Sequence, residues 1–177
     1  KHYGEGDGKG KRILNPVTEV TMDENSYMEM EMVQIKGVDS TQRMTKADLA
    51  AGAKLIIRER LLTHGDQHAE SGFVVNLNGE DSSANVISRS VAKNNSTQVF
   101  NAEINGNAKC AGHSECDAII MDHAKISAIP KIVANDIDAA LIHEAAIGKI
   151  AGEQLIKLMT LGLTEEEAEA QIVNGFL

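Results

Sequence analysis

The stretch from 109 to 150 contains the side chains best suited to binding metal. It holds both cysteines of the chain, Cys110 and Cys116, and three of its six histidines, including His143. Glu144 follows that histidine within an apolar run. Thiolate, imidazole and carboxylate groups bind transition metals, and thiolates also hold iron–sulfur clusters. We therefore expect metal or cluster chemistry in this stretch.

Composition restricts the class of protein. A chain of 177 residues fits one domain, or one domain with a small appendage. A net charge of −9 argues against nucleic acid or an anionic membrane as a partner. No apolar run has the length of a membrane span, and no signal peptide is recognisable. Two free cysteines fit a cytoplasmic protein better than a disulfide scaffold.

From residue 53 onward, short alternating segments predict one strand after another. Turn signals recur at Asn78-Gly79, Asn105-Gly106 and Asn135-Asp136. Such a series with only 3% aromatic residues favours a β-solenoid, or β-helix, over a closed sandwich. The predicted strands are 54–62, 72–77, 83–91, 96–104, 107–110, 116–121, 124–128, 131–134 and 138–147.

The chain before residue 53 gives weaker signals. Residues 1–12 are rich in glycine and charge, and we expect them to be partly mobile. Methionine and glutamate alternate in residues 27–35, which predicts a strand with its methionines buried. Residues 45–49 predict one short helical turn. The expected divisions are an N-terminal segment that starts the β core (1–52), the β-helix core (53–150) and a truncated helical segment (151–177).

The pattern changes to helix after residue 150. Apolar residues three and four apart predict an amphipathic helix over Leu155–Met159 that stops at Gly162. Thr164 and Glu167 form a capping box, which predicts a second helix over 165–174. Two terminal helices could cap a solenoid, or they could form a docking surface for a partner.

Two segments carry a resemblance to a known family. GHSECDAIIM (112–121) and ALIHEAAIGKIAGEQLIKLMTLGLTEEEAEAQIVNGF (140–176) resemble the C-terminal part of the SufB/SufD family of iron–sulfur cluster assembly proteins. The resemblance is close over 93–176 and weaker over 53–92. It joins a cysteine motif, a His-Glu pair and a helical signature in one string, so it is highly specific.

The resemblance implies roles for individual residues. Cys116 stands in an E-C-D-A context where SufB has Q-C-D-S, so it corresponds to the cysteine that accepts sulfur and assembles the cluster. Glu144 matches the glutamate paired with that cysteine in SufB. His143 falls where SufD carries its functional histidine. The chain carries all three, which resembles a short, single-paralog type.

The resemblance also implies a fold and a set of partners. The fold would be a right-handed parallel β-helix with a small C-terminal α-helical domain. The chain would be a non-enzymatic scaffold that holds iron–sulfur clusters transiently, with none tightly bound in an aerobic preparation. It would form a homodimer or pair with a SufB/SufD-type paralog, and receive sulfur from a donor protein. A SufC-type ABC ATPase would dock on the helices, around Leu155, Leu158, Leu163 and Ile172.

Two features of the sequence limit these roles. No Walker motif is present, so any ATP hydrolysis must come from the partner. His143 and Glu144 are adjacent in a predicted strand, so their side chains should point to opposite faces. A bulge could re-aim one of them, or the strand could be an exposed edge with no role. We favour a third possibility, in which the two act across a dimer interface.

Other interpretations of the same residues remain open. Cys110, His113 and Cys116 form a Cys-x₂-His-x₂-Cys string, which could be half of a zinc site. Cys110 could also relay sulfur, or Cys110 and His113 could simply fill core or surface. Cys116 itself could be a small buried hydrophobe.

Two rival functions belong to other classes. A β-helix enzyme acting on polysaccharide would need a charged cleft and secretion, against which the free thiols count. A structural β-solenoid interaction module would need no cluster chemistry at Cys116 or Glu144. Cluster reconstitution distinguishes this module from a scaffold.

Overall fold

The computed structural model describes residues 10–35 and 37–177. Within them, the chain winds into a parallel β-solenoid of about five turns, followed by two helices. The β-helix architecture predicted from the sequence is confirmed. The strands are β1 (Ile13–Leu14), β2 (Val17–Met22), β3 (Tyr27–Gln34), β4 (Ser40–Leu49), β5 (Lys54–Thr63), β6 (His68–Leu77), β7 (Ser82–Ala92), β8 (Thr97–Gly106), β9 (Cys110–Ile120), β10 (Lys125–Ala134) and β11 (Ala140–Gly148), and the helices are α1 (Gly152–Thr160) and α2 (Glu165–Phe176).

The chain alternates between two parallel sheets. One contains β1, β2, β4, β6, β8 and β10, and the other contains β3, β5, β7, β9 and β11. Ser40 pairs with His68, and His68 pairs with Thr97, so successive turns are 28 and 29 residues apart. β10 and β11 are the last strands of their sheets, so the solenoid ends there.

Inward-facing side chains from both sheets fill the interior. Phe73 and Phe100 pack with their ring centroids 5.7 Å apart, and they supply most of the aromatic content of the core. Most of the remaining apolar volume is aliphatic, as the low aromatic content required. Deeply buried aliphatic side chains include Leu49, Leu55, Ile57, Val75, Leu77, Val86, Val91 and Ile104.

Two strands continue where the sequence predicted a break. Segment 116–121 lies almost wholly in the single strand β9, which begins at Cys110, whereas residues 107–109 of segment 107–110 lie in the loop before it. Gly112 lies between the two predicted segments, where a Cβ would come within 2.8 Å of side-chain carbons of Ile104 and Leu141, so those side chains would have to shift. Segments 124–128 and 131–134 are likewise one strand, β10. Pro130 is tolerated within β10 because an edge strand has one side without ladder hydrogen bonds.

Strands β1 to β4, all before residue 53, already belong to the solenoid. The mobility expected for residues 1–12 falls mostly outside the described residues. The short helical turn predicted for residues 45–49 is wrong, because these residues lie in β4, where Thr45 and Leu49 are buried. The alternation of residues 27–35 is confirmed as strand β3. Met30 and Met32 pack against the core as predicted, whereas Met28 is exposed.

One corner of the solenoid is fixed by stacked turn residues. Gly65, Asn94 and Asp122 occupy equivalent positions and have φ values of 60°, 58° and 55°. The Asn94 side chain accepts a hydrogen bond from the Gly65 N–H at 3.0 Å, and Asp122 accepts from the Asn94 N–H at 2.8 Å. Glycine, asparagine and aspartate tolerate this left-handed conformation best. Each turn therefore caps the corner of the turn before it.

Another corner carries a ladder of asparagines. The Asn107 amide donates to Asn78 Oδ1, and the Asn135 amide donates to Asn107 Oδ1, both at 2.7 Å. Hydrogen bonds between equivalent side chains hold consecutive turns in register. Asn78 and Asn135 belong to turn signals that were recognisable in the sequence, but Asn107 and the stacking were not.

Replacing Asn107 by Ala is expected to lower the free energy of unfolding by about 1–2 kcal/mol, because two side-chain hydrogen bonds are lost together. Urea denaturation would measure this change. Asn174→Ala, on the exposed side of α2, is a suitable control and should change the free energy by less than about 0.5 kcal/mol. An equally small change for Asn107→Ala would mean that the ladder contributes nothing.

The two predicted helices are confirmed, including the capping box. The Thr164 hydroxyl accepts a hydrogen bond from the Glu167 N–H, and the Glu167 carboxylate accepts one from the Thr164 N–H. α2 continues through Gly175 and ends two residues later than predicted. In the described chain, neither helix is long and apolar enough to cross a membrane.

The helices differ in how they contact the solenoid. Val173 of α2 packs with Val91 and Met121 in a small second apolar cluster. α1 buries none of its residues and leaves Ile156 and Met159 exposed. Only α2 is therefore anchored through buried side chains.

Candidate functional site

The candidate residues lie on β9 and β11, the last two strands of their sheet. The two strands pair continuously from Ala140↔Ala111 to Gly148↔Ile119. No bulge interrupts this register, so a bulge does not re-aim either His143 or Glu144. Side chains alternate across the sheet, and each of these strands has one inward and one outward set. The two sets have different chemistry.

Cys116 points into the interior and is 1% exposed. Along the register it lies in one row with Glu59, Ser88 and Ala145. Burial is the main cause that raises the pKa of the Cys116 thiol to about 11, and the nearby charges of Glu59 and Asp117 add to it. The side chain is therefore a thiol at neutral pH, shielded from solvent.

A polar cluster around Glu59 lies within the same interior. The Glu59 carboxylate is 3% exposed and accepts hydrogen bonds from Ser71 at 2.5 Å and from Ser88 at 2.8 Å. Arg43 lies 3.8 Å from the same carboxylate. This cluster was not predicted from the sequence, because an Arg-Glu-Arg run in a strand usually indicates a solvated face.

His143 also faces inward, with an unsatisfied polar atom. Its Nδ1 is buried and has no hydrogen-bond partner among the described residues. Ser114, its register partner on β9, has a buried hydroxyl in the same state. Leaving a buried polar group unpaired costs about 1–3 kcal/mol of folding free energy. A ligand that pairs with these two atoms would remove that cost, so the pair has the capacity to bind one. His143 and Cys116 share this face, two residues apart in register.

Glu144 points to the face opposite to that of His143, as predicted; this is the outer face, and the Glu144 side chain is 66% exposed. There it meets His113, whose Nε2 lies 3.6 Å from Glu144 Oε2. Glu115, its register partner, completes a group whose ligand atoms all lie within 4.8 Å of one another. The structure thus separates Glu144 from Cys116 and groups it with two residues that the sequence alone did not connect to it.

Glu115 carries an altered acidity. Burial is the main cause that raises its pKa, and a hydrogen bond and the negative charge of Asp117 act in the same direction. His113 and Arg89 oppose this shift. The outer face therefore concentrates negative charge around one imidazole.

Cys110 lies away from the other candidates. It is buried near Gly106, at the first residue of β9. Six residues of extended strand place it roughly 20 Å from Cys116. Burial raises the pKa of its thiol as well. His113 lies on the opposite face of the strand. The Cys-x₂-His-x₂-Cys string is therefore not a zinc half-site, because its three side chains do not converge.

The proposed docking residues of the helical segment are partly accessible. All four are half-buried, and exposed Ile156 and Met159 lie among them. The role of these residues in docking a partner stays a prediction. The four residues are Leu155, Leu158, Leu163 and Ile172.

Comparison with known proteins places the whole chain beside one family. The profile described as "SUF system FeS cluster assembly, SufBD core domain" matches residues 5–176. An iron–sulfur cluster assembly SufBD family protein of Methanocaldococcus jannaschii is 33% identical over 178 residues, covering 99% of this chain and 56% of the relative. A similarly named protein of Archaeoglobus fulgidus is 31% identical over 166 residues, covering 93% of this chain and 45% of the relative.

A shorter match has a higher identity. A SufBD family protein of Pyrococcus horikoshii is 39% identical over 119 residues, covering 66% of this chain and 27% of the relative. The chain thus spans about half, or less, of the length of these curated relatives.

Proposed function

The chain belongs to the SufBD family, and on that premise we propose that it is a scaffold for iron–sulfur cluster assembly. The observation that supports this most directly is the inward face of β9 and β11. There Cys116 lies beside His143 and Ser114, whose buried polar atoms have no partner among the described residues. Thiolate and imidazole are ligands that iron accepts in clusters.

In this proposal the cluster is cargo and not a resident cofactor. Cys116 supplies the anchoring thiolate and receives sulfur delivered by a donor protein. His143 supplies a nitrogen ligand, or a hydrogen bond to the cluster. A single cysteine and a single histidine cannot saturate a cluster, because a cluster takes four protein ligands. Incomplete ligation suits transient holding and transfer.

Access to Cys116 requires the end of the solenoid to open. Ala145 of β11 lies directly beside the thiol in register. β11 is the terminal strand of its sheet and pairs only with β9. Terminal strands open at lower free energy than central ones. We propose that displacement of β11 exposes Cys116, or that a second copy or a SufB/SufD-type paralog docks at this end.

In this proposal the chain itself does not hydrolyse ATP. A SufC-type ABC ATPase is the proposed partner, docked on the exposed apolar side of α1. ATP hydrolysis by that partner could supply the work that displaces β11. The net charge of −9 makes nucleic acid an unsuitable partner.

Anaerobic reconstitution tests the scaffold role. The chain would be incubated with ferrous iron and sulfide, with and without the ATPase, and its visible charge-transfer absorbance recorded. We expect bands in the wild type that disappear in Cys116→Ala and weaken in His143→Ala. Cys110→Ala is a matched control, because it removes the other buried cysteine, and it should retain the bands.

One alternative is favoured by a specific observation. Cys116 is almost fully buried and protonated, as expected for a small hydrophobe in a structural interaction module. Unchanged bands in Cys116→Ala, in protein with a native circular dichroism spectrum, would contradict the scaffold role. Retained ATPase binding by that variant would then support the module.

A further inference from the structure

The outer face of β9 and β11 presents three converging ligand side chains. His113, Glu115 and Glu144 each offer one ligand atom, and these atoms lie within 4.8 Å of one another. We infer that they form a binding site for a first-row divalent cation of the ferrous or zinc class, separate from the interior site of Cys116. This inference does not depend on the proposed scaffold function.

Strand pairing places the three side chains together. His113 and Glu115 are two residues apart on β9 and share its outer face. Glu144 pairs in register with Glu115, so it projects from the neighbouring strand at the same level. A continuous ladder on both sides of β9 holds these backbones. The ligands thus lie on rigid elements, which favours a preformed site.

A hydrogen bond orients the imidazole. His113 Nδ1 lies 3.0 Å from the side-chain oxygen of Asn85, its register partner on β7. A carbonyl oxygen can only accept, so Nδ1 carries the proton. In the neutral imidazole, Nε2 then keeps its lone pair, and Nε2 is the nitrogen that faces Glu144. Metal-binding histidines in proteins typically donate their second N–H to such an acceptor.

The charge balance favours a cation over a simple ion pair. Glu115 and Glu144 converge on one imidazole, and Asp117 lies against Glu115. Over residues 10–35 and 37–177, no lysine or arginine nitrogen lies within 4.0 Å of Glu115 or Glu144. Arg89 and His113 act on Glu115 only as nearby charges, and neither carboxylate has a direct lysine or arginine partner there. A divalent cation would offset both and give the exposed Glu144 a fixed position.

The donor set selects the kind of metal. One imidazole nitrogen and two carboxylate oxygens suit Zn²⁺, Fe²⁺, Co²⁺ and Mn²⁺, whereas Cu(I) prefers sulfur. The neighbouring thiol does not take part, because Cys116 points to the opposite side of β9. Three protein ligands leave coordination positions open to water or to an exchanging ligand. The site therefore fits exchangeable binding better than a closed structural zinc site.

Cobalt titration tests the site directly. Visible absorbance would be recorded as Co²⁺ is added to the full chain, and Zn²⁺ would then be added as a competitor. We expect saturable absorbance in the wild type. His113→Ala and Glu144→Gln should each weaken binding at least about tenfold, since each removes one of only three ligands.

Asn85 is a positioning residue in this site. Asn85→Ala should weaken Co²⁺ binding about tenfold, and Asn85→Asp should restore it, because the carboxylate still accepts from Nδ1. A merely structural role for Asn85 would give no such rescue. The exposed His123 provides the matched control, and His123→Ala should bind as the wild type does.

Several outcomes would overturn the inference. Wild-type protein without saturable absorbance would do so, and so would unchanged binding in His113→Ala. Loss of binding in Cys116→Ala would move the cation to the interior face. Because Cys116→Ala should retain cobalt while losing cluster absorbance, failure of this site and failure of the scaffold function are distinguishable.

Discussion

Replacing Glu59 by Ala is expected to lower the free energy of unfolding by about 3–5 kcal/mol, because the substitution breaks a buried network of charge and hydrogen bonds. The carboxylate accepts from Ser71 and Ser88 and lies 3.8 Å from Arg43, all in the solenoid interior. Its removal leaves a nearly buried guanidinium and two hydroxyls without their partner. Urea denaturation of the wild type and the variant measures the difference.

An exposed glutamate provides the matched control for this change. Glu31 pairs with Arg60 at 3.1 Å on the outer surface, where both side chains are about half exposed. Glu31→Ala should therefore cost no more than about 1 kcal/mol. Glu59→Gln should fall between the two, because the amide oxygen can still accept one serine. A loss below about 1 kcal/mol for Glu59→Ala would show that the cluster opens readily to water.

At neutral pH the Cys116 thiol is expected to remain almost entirely protonated. Burial, followed by the charges of Glu59 and Asp117, raises its pKa from 9.0 to about 11. At pH 8 about one Cys116 in a thousand would then be a thiolate, about a hundredfold fewer than for an ordinary cysteine. A pH titration of the Cys110→Ala variant, followed by the ultraviolet absorbance of the thiolate, measures this pKa.

Two variants make the titration specific. Cys116→Ala provides the background from tyrosines and from Cys110. Glu59→Gln should lower the pKa of Cys116, because it removes a nearby negative charge. A midpoint at or below pH 9 in the folded Cys110→Ala protein would contradict the expectation and indicate a solvated thiol.

The same shift predicts how stability varies with alkaline pH. The folded-state pKa lies above the unfolded value, so the folded chain retains the proton over a pH range in which the unfolded chain releases it. The resulting stabilisation is complete below about pH 9 and is lost as pH rises through about 11. Cys116→Ala should lack this part of the pH dependence. Iron binding must likewise displace the proton, since the thiolate is the ligand.

Much of the architecture could be predicted from local sequence. Period-two alternation predicted most of the strands, and the signals at Asn78-Gly79 and Asn135-Asp136 predicted turns, because both depend on neighbouring residues. The signal at Asn105-Gly106 was wrong, because these residues end strand β8. The capping box at Thr164 and Glu167 is a local interaction and is confirmed in detail. The opposite orientations of His143 and Glu144 also follow from strand geometry alone.

The merged strands show where local patterns mislead. Gly112 and Pro130 resemble strand breaks in sequence, yet β9 and β10 continue through them. Glycine at position 112 avoids a close contact with the side chains of Ile104 and Leu141, which belong to other strands. Pro130 is acceptable only because β10 has one unpaired edge. Neither reason is visible from the neighbouring residues.

The functional groupings depend on contacts between turns. The sequence alone identified Cys116, His143 and Glu144 as candidates, but it did not connect Glu144 with Glu115 and His113, or Cys116 with Glu59. These groups join residues one turn apart, as for Glu115 and Glu144, or two turns apart, as for Glu59 and Cys116, and a register shifted by one residue would send every side chain to the other face. Residue types and local periodicity thus determined the fold class and the candidate chemistry. Only the pairing of successive turns decided which side chains share the buried interior and which share the solvent-exposed wall.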